Sequence, residues 1–362
     1  MHFENAIRWS WADILTRKRF ETLGELFGGA DAAMDVISME LLQRLGLRED
    51  SAMKAMVRLE EFNAAGYAAA MKKKDIKIVS MEDPEYPQSL REVPDAPVFL
   101  YYRGDLRILS EPCIAIVGTR EMSDYGRRVV AHIVPPIVRA NVITVSGLAY
   151  GIDAEVAKET MAAGGRTVAV LGHGLHMIYP KTNEALANKI LTEGGLLLSE
   201  FPLDTPPDTY SFPARNRIIA GLSLCTVVAE ATEDSGSLIT ADLALDYGRD
   251  VCAVPGDLFH PQYAGCHGLL ARGVARLVTS GEDVLQEVGI VGPSSATAKE
   301  SRFTAESPEE QNVFDSLSSL PSALDDLVIK TKLEAATLNG ILTVLELKGA
   351  VKNAGGGKWV RA

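Results

Sequence analysis

Between residues 113 and 288, short runs of β-branched and other apolar residues alternate with longer amphipathic stretches, separated by glycine-bearing turns. Strands are predicted at 114–117, 142–145, 167–171, 196–198, 224–229, 251–254 and 276–278, and helices at 125–139, 153–163, 183–192, 213–221, 239–247 and 266–272. A strand followed by a helix of ten or so residues cannot close a hairpin, so the next strand must run parallel to it. The runs are apolar at nearly every position, as strands covered on both faces must be. The expected fold class is therefore α/β, an extended Rossmann-like, doubly wound, mostly parallel sheet. In such sheets ligands bind in the crevice beyond the carboxyl ends of the strands.

The turn leaving each strand is accordingly the place to look for chemistry. The first predicted strand runs into Gly118-Thr119-Arg120 and the second into Ser146-Gly147. The third runs into a glycine- and histidine-rich turn that reaches Lys181. The stretch 212–241 carries Arg215, Asn216 and Arg217 on a predicted helix, then an apolar strand, then Ser235-Gly236-Ser237 and Thr240 where the next helix begins. Glycine lets a backbone amide approach an anion closely, and a helix N-terminus adds a favourable dipole. Several such loops on one sheet edge, with Arg120 and Lys181 as charges, predict a site for phosphate-like oxygens.

Other chemistries fit less well. The turn Gly172-His173-Gly174-Leu175-His176-Met177 places Met177 where a dinucleotide fingerprint needs its third small residue. The histidine and cysteine spacings match no common zinc framework, so loop histidines and buried reduced thiols are expected, with no cofactor or metal. A net charge of −12 over 362 residues excludes coating of nucleic acid by bulk electrostatics; any binding must use a local positive cluster. No run approaches the length of a membrane span and the N-terminus has no apolar signal core, so a cytoplasmic protein without membrane insertion is expected.

The flanks divide the chain further. Residues 1–75 are predicted to form a helical domain, in which Arg17-Lys18-Arg19 read as a solvated helix face. Proline-rich extended pieces at 76–109 lead into the Rossmann-like domain, assigned to 76–288. A small, polar linker spans 289–307. Residues 308–362 read as three helices and a glycine-tipped hairpin, a winged-helix domain. Its third helix has no Lys or Arg between 335 and 347, which favours an interaction module over a reader of duplex DNA.

The motifs V-G-T-R (117–120), S-G-L-A-Y-G-I-D (146–153), Y-P-K-T-N (179–183), F-P-A-R-N-R-I-I-A-G-L-S (212–223), S-G-S-L-I-T-A (235–241) and G-R-D-V-C-A-V-P-G (248–256), in this order, resemble the DNA-processing protein A family, also called Smf. The resemblance implies a non-enzymatic protein that binds single-stranded DNA, forms a homodimer and helps load RecA recombinase during natural transformation and recombination. It implies Arg120 and Lys181 as the principal phosphate contacts, with Arg215, Asn216, Arg217, Ser235, Gly236, Ser237 and Thr240 completing the pocket. A nucleotide-processing enzyme is the first alternative, with Asp153, Glu200 and Glu230 as candidate acids or bases, and a nucleotide sensor using the same cleft is the second. Tyr210 or Phe212 is the aromatic side chain expected to be exposed for stacking on bases.

Overall fold

The computed structural model describes residues 1–208, 210–291, 305, 307–318 and 321–361. Most of the proposed linker 289–307 lies outside the described residues. The chain forms two compact units, Met1–Pro293 and Ser294–Ala362.

The first unit begins with helices α1 (Phe3–Ala12), α2 (Arg17–Phe27), α3 (Ala30–Met34), α4 (Met39–Arg44), α5 (Glu49–Glu60) and α6 (Ala64–Lys73). Periodicity alone predicts one helix over 51–71. The break between α5 and α6 comes from Asn63, whose side chain accepts the Gly66 N–H at 2.9 Å and starts a new helix. These helices bury Trp9, Leu23 and Leu42 against Val98 and Phe99 of the following segment, while Ile7, Tyr67 and Met71 pack with Tyr101 and Leu197. Helices and sheet thus share their cores. Arg17 and Arg19 are drawn into this packing: Arg17 donates to the Arg91 and Val93 carbonyls and Arg19 to those of Ile14 and Leu45. Only Lys18 of that basic run keeps to the exposed face.

The sheet is built from β1 (Lys77–Ser80), β2 (Phe99–Gly104), β3 (Cys113–Gly118), β4 (Ile143–Ser146), β5 (Thr167–Val170), β6 (Leu196–Ser199), β7 (Cys225–Glu230), β8 (Asp250–Ala253) and β9 (Arg276–Leu277). The intervening helices are α7 (Gln88–Arg91), α8 (Asp124–Arg139), α9 (Ile152–Ala162), α10 (Glu184–Thr192), α11 (Ser211–Leu222), α12 (Gly236–Asp246), α13 (Ala264–Ala271) and α14 (Gly281–Glu287). The strand order is β1-β2-β6-β5-β4-β3-β7-β8-β9, parallel from β6 to β9, with β1 and β2 added antiparallel at one edge. The extended lead-in is therefore part of the sheet itself. On β3, Cys113, Ala115 and Val117 enter one core and Ile114 and Ile116 the other, the period-two alternation of a strand buried on both faces.

Chain order proceeds outward in one direction from β3 through β6 and in the other from β7 through β9. The two neighbours β3 and β7 define the switch point, where the outgoing loops diverge and leave a crevice.

The second unit contains α15 (Pro308–Ser316), β10 (Ser322–Ala323), α16 (Leu324–Thr331), α17 (Ala335–Leu347), β11 (Val351–Gly355) and β12 (Lys358–Arg361). Its core gathers Val313, Leu327, Leu338, Leu342, Leu345 and Trp359. The predicted hairpin forms across the three glycines, and β10, too short to read from the sequence, adds a third strand beside β12. The unit is a winged helix.

Candidate nucleic-acid interface

The loop after β3 is held from behind. A Cβ at Gly118 would lie 2.6 Å from Ile152 and 2.8 Å from the Glu230 carbonyl, so only glycine passes between α9 and β7 there. The Thr119 N–H donates to the Glu230 carbonyl at 2.8 Å, and the Thr119 carbonyl accepts the Ile152 N–H at 3.1 Å. With its backbone fixed on both sides, the loop sends the Arg120 side chain into solvent. Its guanidinium carbon stands 5.3 Å from the centre of the Phe212 ring, and Phe212 in turn lies 5.9 Å from Tyr179. No carboxylate pairs with Arg120 among the described residues, so its fork of donors is free.

Facing this arginine is the N-terminus of α12. Ser235 caps the helix, accepting the Ser237 N–H at 3.4 Å, and Asn216 donates to the Gly236 carbonyl at 3.3 Å. The Gly236 N–H has no acceptor among the described residues and carries the helix's positive end. Between these elements lies an open cleft of about 670 Å³, lined by Gly118, Thr119, Arg120, Tyr179, Phe212, Asn216, Ser235, Gly236, Ser237 and Thr240. It sits at the switch point, above the ends of β3 and β7.

Arg215 and Asp153 form the floor. Arg215 is 4% exposed and donates to the carbonyls of Val170 and, at 2.7 Å, Gly147. Asp153 accepts the N–H groups of Gly147 at 3.0 Å and Ala149 at 3.4 Å. Burial pushes the Asp153 carboxyl above the usual range despite the nearby Arg215 charge, and burial pulls Arg215 down to about 10 against the opposing pull of Asp153. Ser146 is buried and donates to the Asp153 carbonyl at 3.3 Å. Ser146, Gly147 and Arg215 therefore brace one another's loops, although the Arg215 Nε, at the floor of the cleft, has no acceptor among the described residues.

Two other predicted contacts stand elsewhere. Arg217 points to the opposite side of α11, where it pairs with Glu200 and donates to the Asp95 carbonyl at 2.6 Å. Residues two apart on a helix do not share a face, so Arg215 and Arg217 could not both reach the cleft. Lys181 is exposed on a short helical turn after Tyr179-Pro180, beside the cleft rather than in its lining. Of the aromatic candidates, Tyr210 is 84% exposed, whereas Phe212 is half-buried beneath Arg120.

Each carboxylate weighed as an acid or base has a structural partner, although one oxygen of Glu200 and one of Glu230 have none among the described residues. Asp153 holds loop amides and Glu200 pairs with Arg217. Glu230 is fully buried and accepts the Ser123 N–H at 3.0 Å. The loop histidines are engaged as well: His173 Nδ1 lies 3.0 Å from the Gly174 carbonyl, and His173 Nε2 accepts the Tyr179 N–H at 3.3 Å. All four cysteines are buried free thiols.

Residues 77–289, well over half of the chain, match the family model for DNA recombination-mediator protein A. The chain belongs to that family. Residues 294–357 match the winged-helix domain model of DprA, the same family's C-terminal module. The DNA processing protein DprA of Streptococcus pneumoniae is 46% identical over 208 residues, covering 58% of this chain and 73% of that protein. The Bacillus subtilis DNA processing protein DprA is 38% identical over 262 residues, 72% of this chain and 87% of the relative.

Among solved structures, the S. pneumoniae DprA superposes with a TM-score of 0.69 at 36% identity, covering 79% of this chain and 98% of that one. Helicobacter pylori DNA processing protein A, whose structure concerns its single-stranded DNA binding mode, gives a TM-score of 0.53 at 28% identity, with 59% and 95% covered. In this DprA-family chain, what the sequence does not display is the backbone contact each floor residue makes: Asp153 holds the Gly147 and Ala149 amides, and Arg215 holds the Gly147 and Val170 carbonyls while still lining the cleft. The signal was available for Arg217, since helical periodicity separates it from Arg215 by about half a turn.

Proposed function

We propose that this chain binds single-stranded DNA with the strand's phosphates in the switch-point cleft, and that it acts without catalysis as a recombination mediator. The observation that carries the reading is Arg120, without a carboxylate partner among the described residues, set over Phe212 and sharing an open cleft with the Gly236 N–H at the start of α12. An arginine fork and a helix N-terminus grip phosphate oxygens without reading bases, and a neighbouring ring offers a face to a base. With a net charge of −12, the chain depends on such a local cluster. The engagement of Asp153, Glu200 and Glu230 in structural contacts supports binding rather than hydrolysis. The H. pylori relative's single-strand binding supports the same assignment.

The finer role is that of the family: a homodimer that delivers the bound strand to RecA. Fluorescence anisotropy of labelled oligo-dT, with a duplex control and a salt series, tests the first step on wild type and Arg120→Ala. Tight single-strand binding, weakened by salt and by the substitution, is expected. No binding at low salt, or competition by a mononucleotide as strong as by the oligonucleotide, would transfer the cleft to a small nucleotide ligand. RecA activity on a strand already coated by single-strand binding protein, with and without this chain, tests delivery; no gain would remove that role.

A further inference from the structure

Beside the cleft, the loop between β8 and α13 carries Leu258 and Phe259, which are 79% and 93% exposed. Two large apolar side chains in water at a loop tip contribute nothing to folding. The base of this loop is nonetheless tightly held. Tyr125 donates to the Pro255 carbonyl at 2.6 Å, and its ring meets Tyr263 at 5.2 Å. A Cβ at Gly256 would lie 2.2 Å from the Tyr263 ring, so glycine is needed for that ring to lie beneath the loop. The Phe259 N–H is turned back onto Asp257 at 2.9 Å. A rigid base thus presents an aromatic tip outward, at little ordering cost to a partner.

The loop is continuous with the cleft. Gln262 donates to the carbonyl of Glu121 at 3.1 Å, and Glu121 lines the cleft next to Arg120. The surface also carries positive charge: Arg127 and Arg128 are exposed on α8, without an ion pair among the described residues, and Arg128 lies 5.9 Å from the Tyr125 ring. Aromatic and arginine side chains interleaved along a path out of a phosphate cleft are the composition of a single-strand track. Glu121 and Asp124 share this rim, which limits the electrostatic gain and leaves stacking as the main contribution.

We propose that residues 257–260 form a second base-stacking platform, centred on Phe259, for the segment of the same strand that has left the cleft past Glu121. The proposal rests on the assignment of the cleft to single-stranded DNA. It is tested by anisotropy with a short oligo-dT of about 6 nucleotides and a longer one of about 20, on wild type, Phe259→Ala and Phe259→Trp. Wild type is expected to bind the longer strand more tightly. Phe259→Ala should keep the short-strand affinity, lose about fivefold or more on the longer strand, and keep the salt slope. In Phe259→Trp the indole emission should be quenched by the longer strand only. Equal affinities of wild type and Phe259→Ala, equal losses at both lengths, or a change in oligomeric state on sedimentation would overturn the platform while leaving the cleft. Failure of wild type to bind either strand would overturn the cleft reading and the platform with it.

Discussion

Gly147 is gripped from both sides by Arg215 and Asp153: its carbonyl accepts the Arg215 guanidinium at 2.7 Å while its N–H donates to Asp153 at 3.0 Å. A Cβ at this position would fall 2.1 Å from the guanidinium, so the glycine is what admits the arginine. Arg215→Ala strips the Gly147 and Val170 carbonyls of their donor inside the protein. A loss of about 2–4 kcal/mol in stability is expected by chemical denaturation. Gly147→Ala should destabilise by a similar route, because the buried guanidinium must move.

Arg120 should behave in the opposite way. Arg120→Ala is expected to leave stability within about 0.5 kcal/mol and to weaken oligo-dT binding about tenfold. Its log–log salt slope should fall by about 0.7 for each phosphate that is no longer neutralised. Thermal denaturation and anisotropy on the same preparation separate the two arginines: a melting-temperature loss in Arg120→Ala matching that of Arg215→Ala would refute the division of labour.

The contrast between these arginines marks where the sequence is readable. The parallel sheet was legible because β3 and β7 are apolar at nearly every position and their connections are helices. The cleft was legible because Gly118, Gly236 and the switch point are set by chain order and backbone geometry. Side-chain surroundings were not, because an arginine held by backbone carbonyls and an arginine exposed to solvent are the same letter. What separates Arg215 from Arg120 is the pair of backbone carbonyls that tertiary folding brings to one and not to the other. Asn63 failed to register for a related reason: its capping bond competes with a helical pattern that continues on either side.

The free amide of Gly236 gives a test of the helix N-terminus alone. Gly236 is the first residue of α12, and Ser235 before it is extended, with φ −68° and ψ 131°. Proline is tolerated at that helix position, and an extended residue before it is what proline requires. Gly236→Pro should therefore fold with an unchanged or slightly raised melting temperature while deleting the N–H that faces the cleft. A severalfold loss in oligo-dT affinity is expected, with Gly236→Ala, which keeps the N–H, retaining more of it. Equal affinity in both variants would remove this amide from the site.

His173 links the site to pH. It is 1% exposed, and burial holds its pKa below the ordinary 6.5. The neutral ring uses Nδ1–H to donate to the Gly174 carbonyl and Nε2 to accept the Tyr179 N–H, so a second proton would remove the acceptor that holds Tyr179 beside Phe212. A depressed folded-state value means the unfolded chain takes up the proton first. The contribution is then complete above about pH 6.5 and is lost as pH falls toward the lowered value. His173→Asn should cost about 1–3 kcal/mol at neutral pH. Between about pH 7.5 and 5 it should also show a shallower decline in melting temperature than wild type, since the variant has no such proton to bind. Parallel declines in the two proteins would mean that other groups carry the acid sensitivity and that His173 does not titrate in this range.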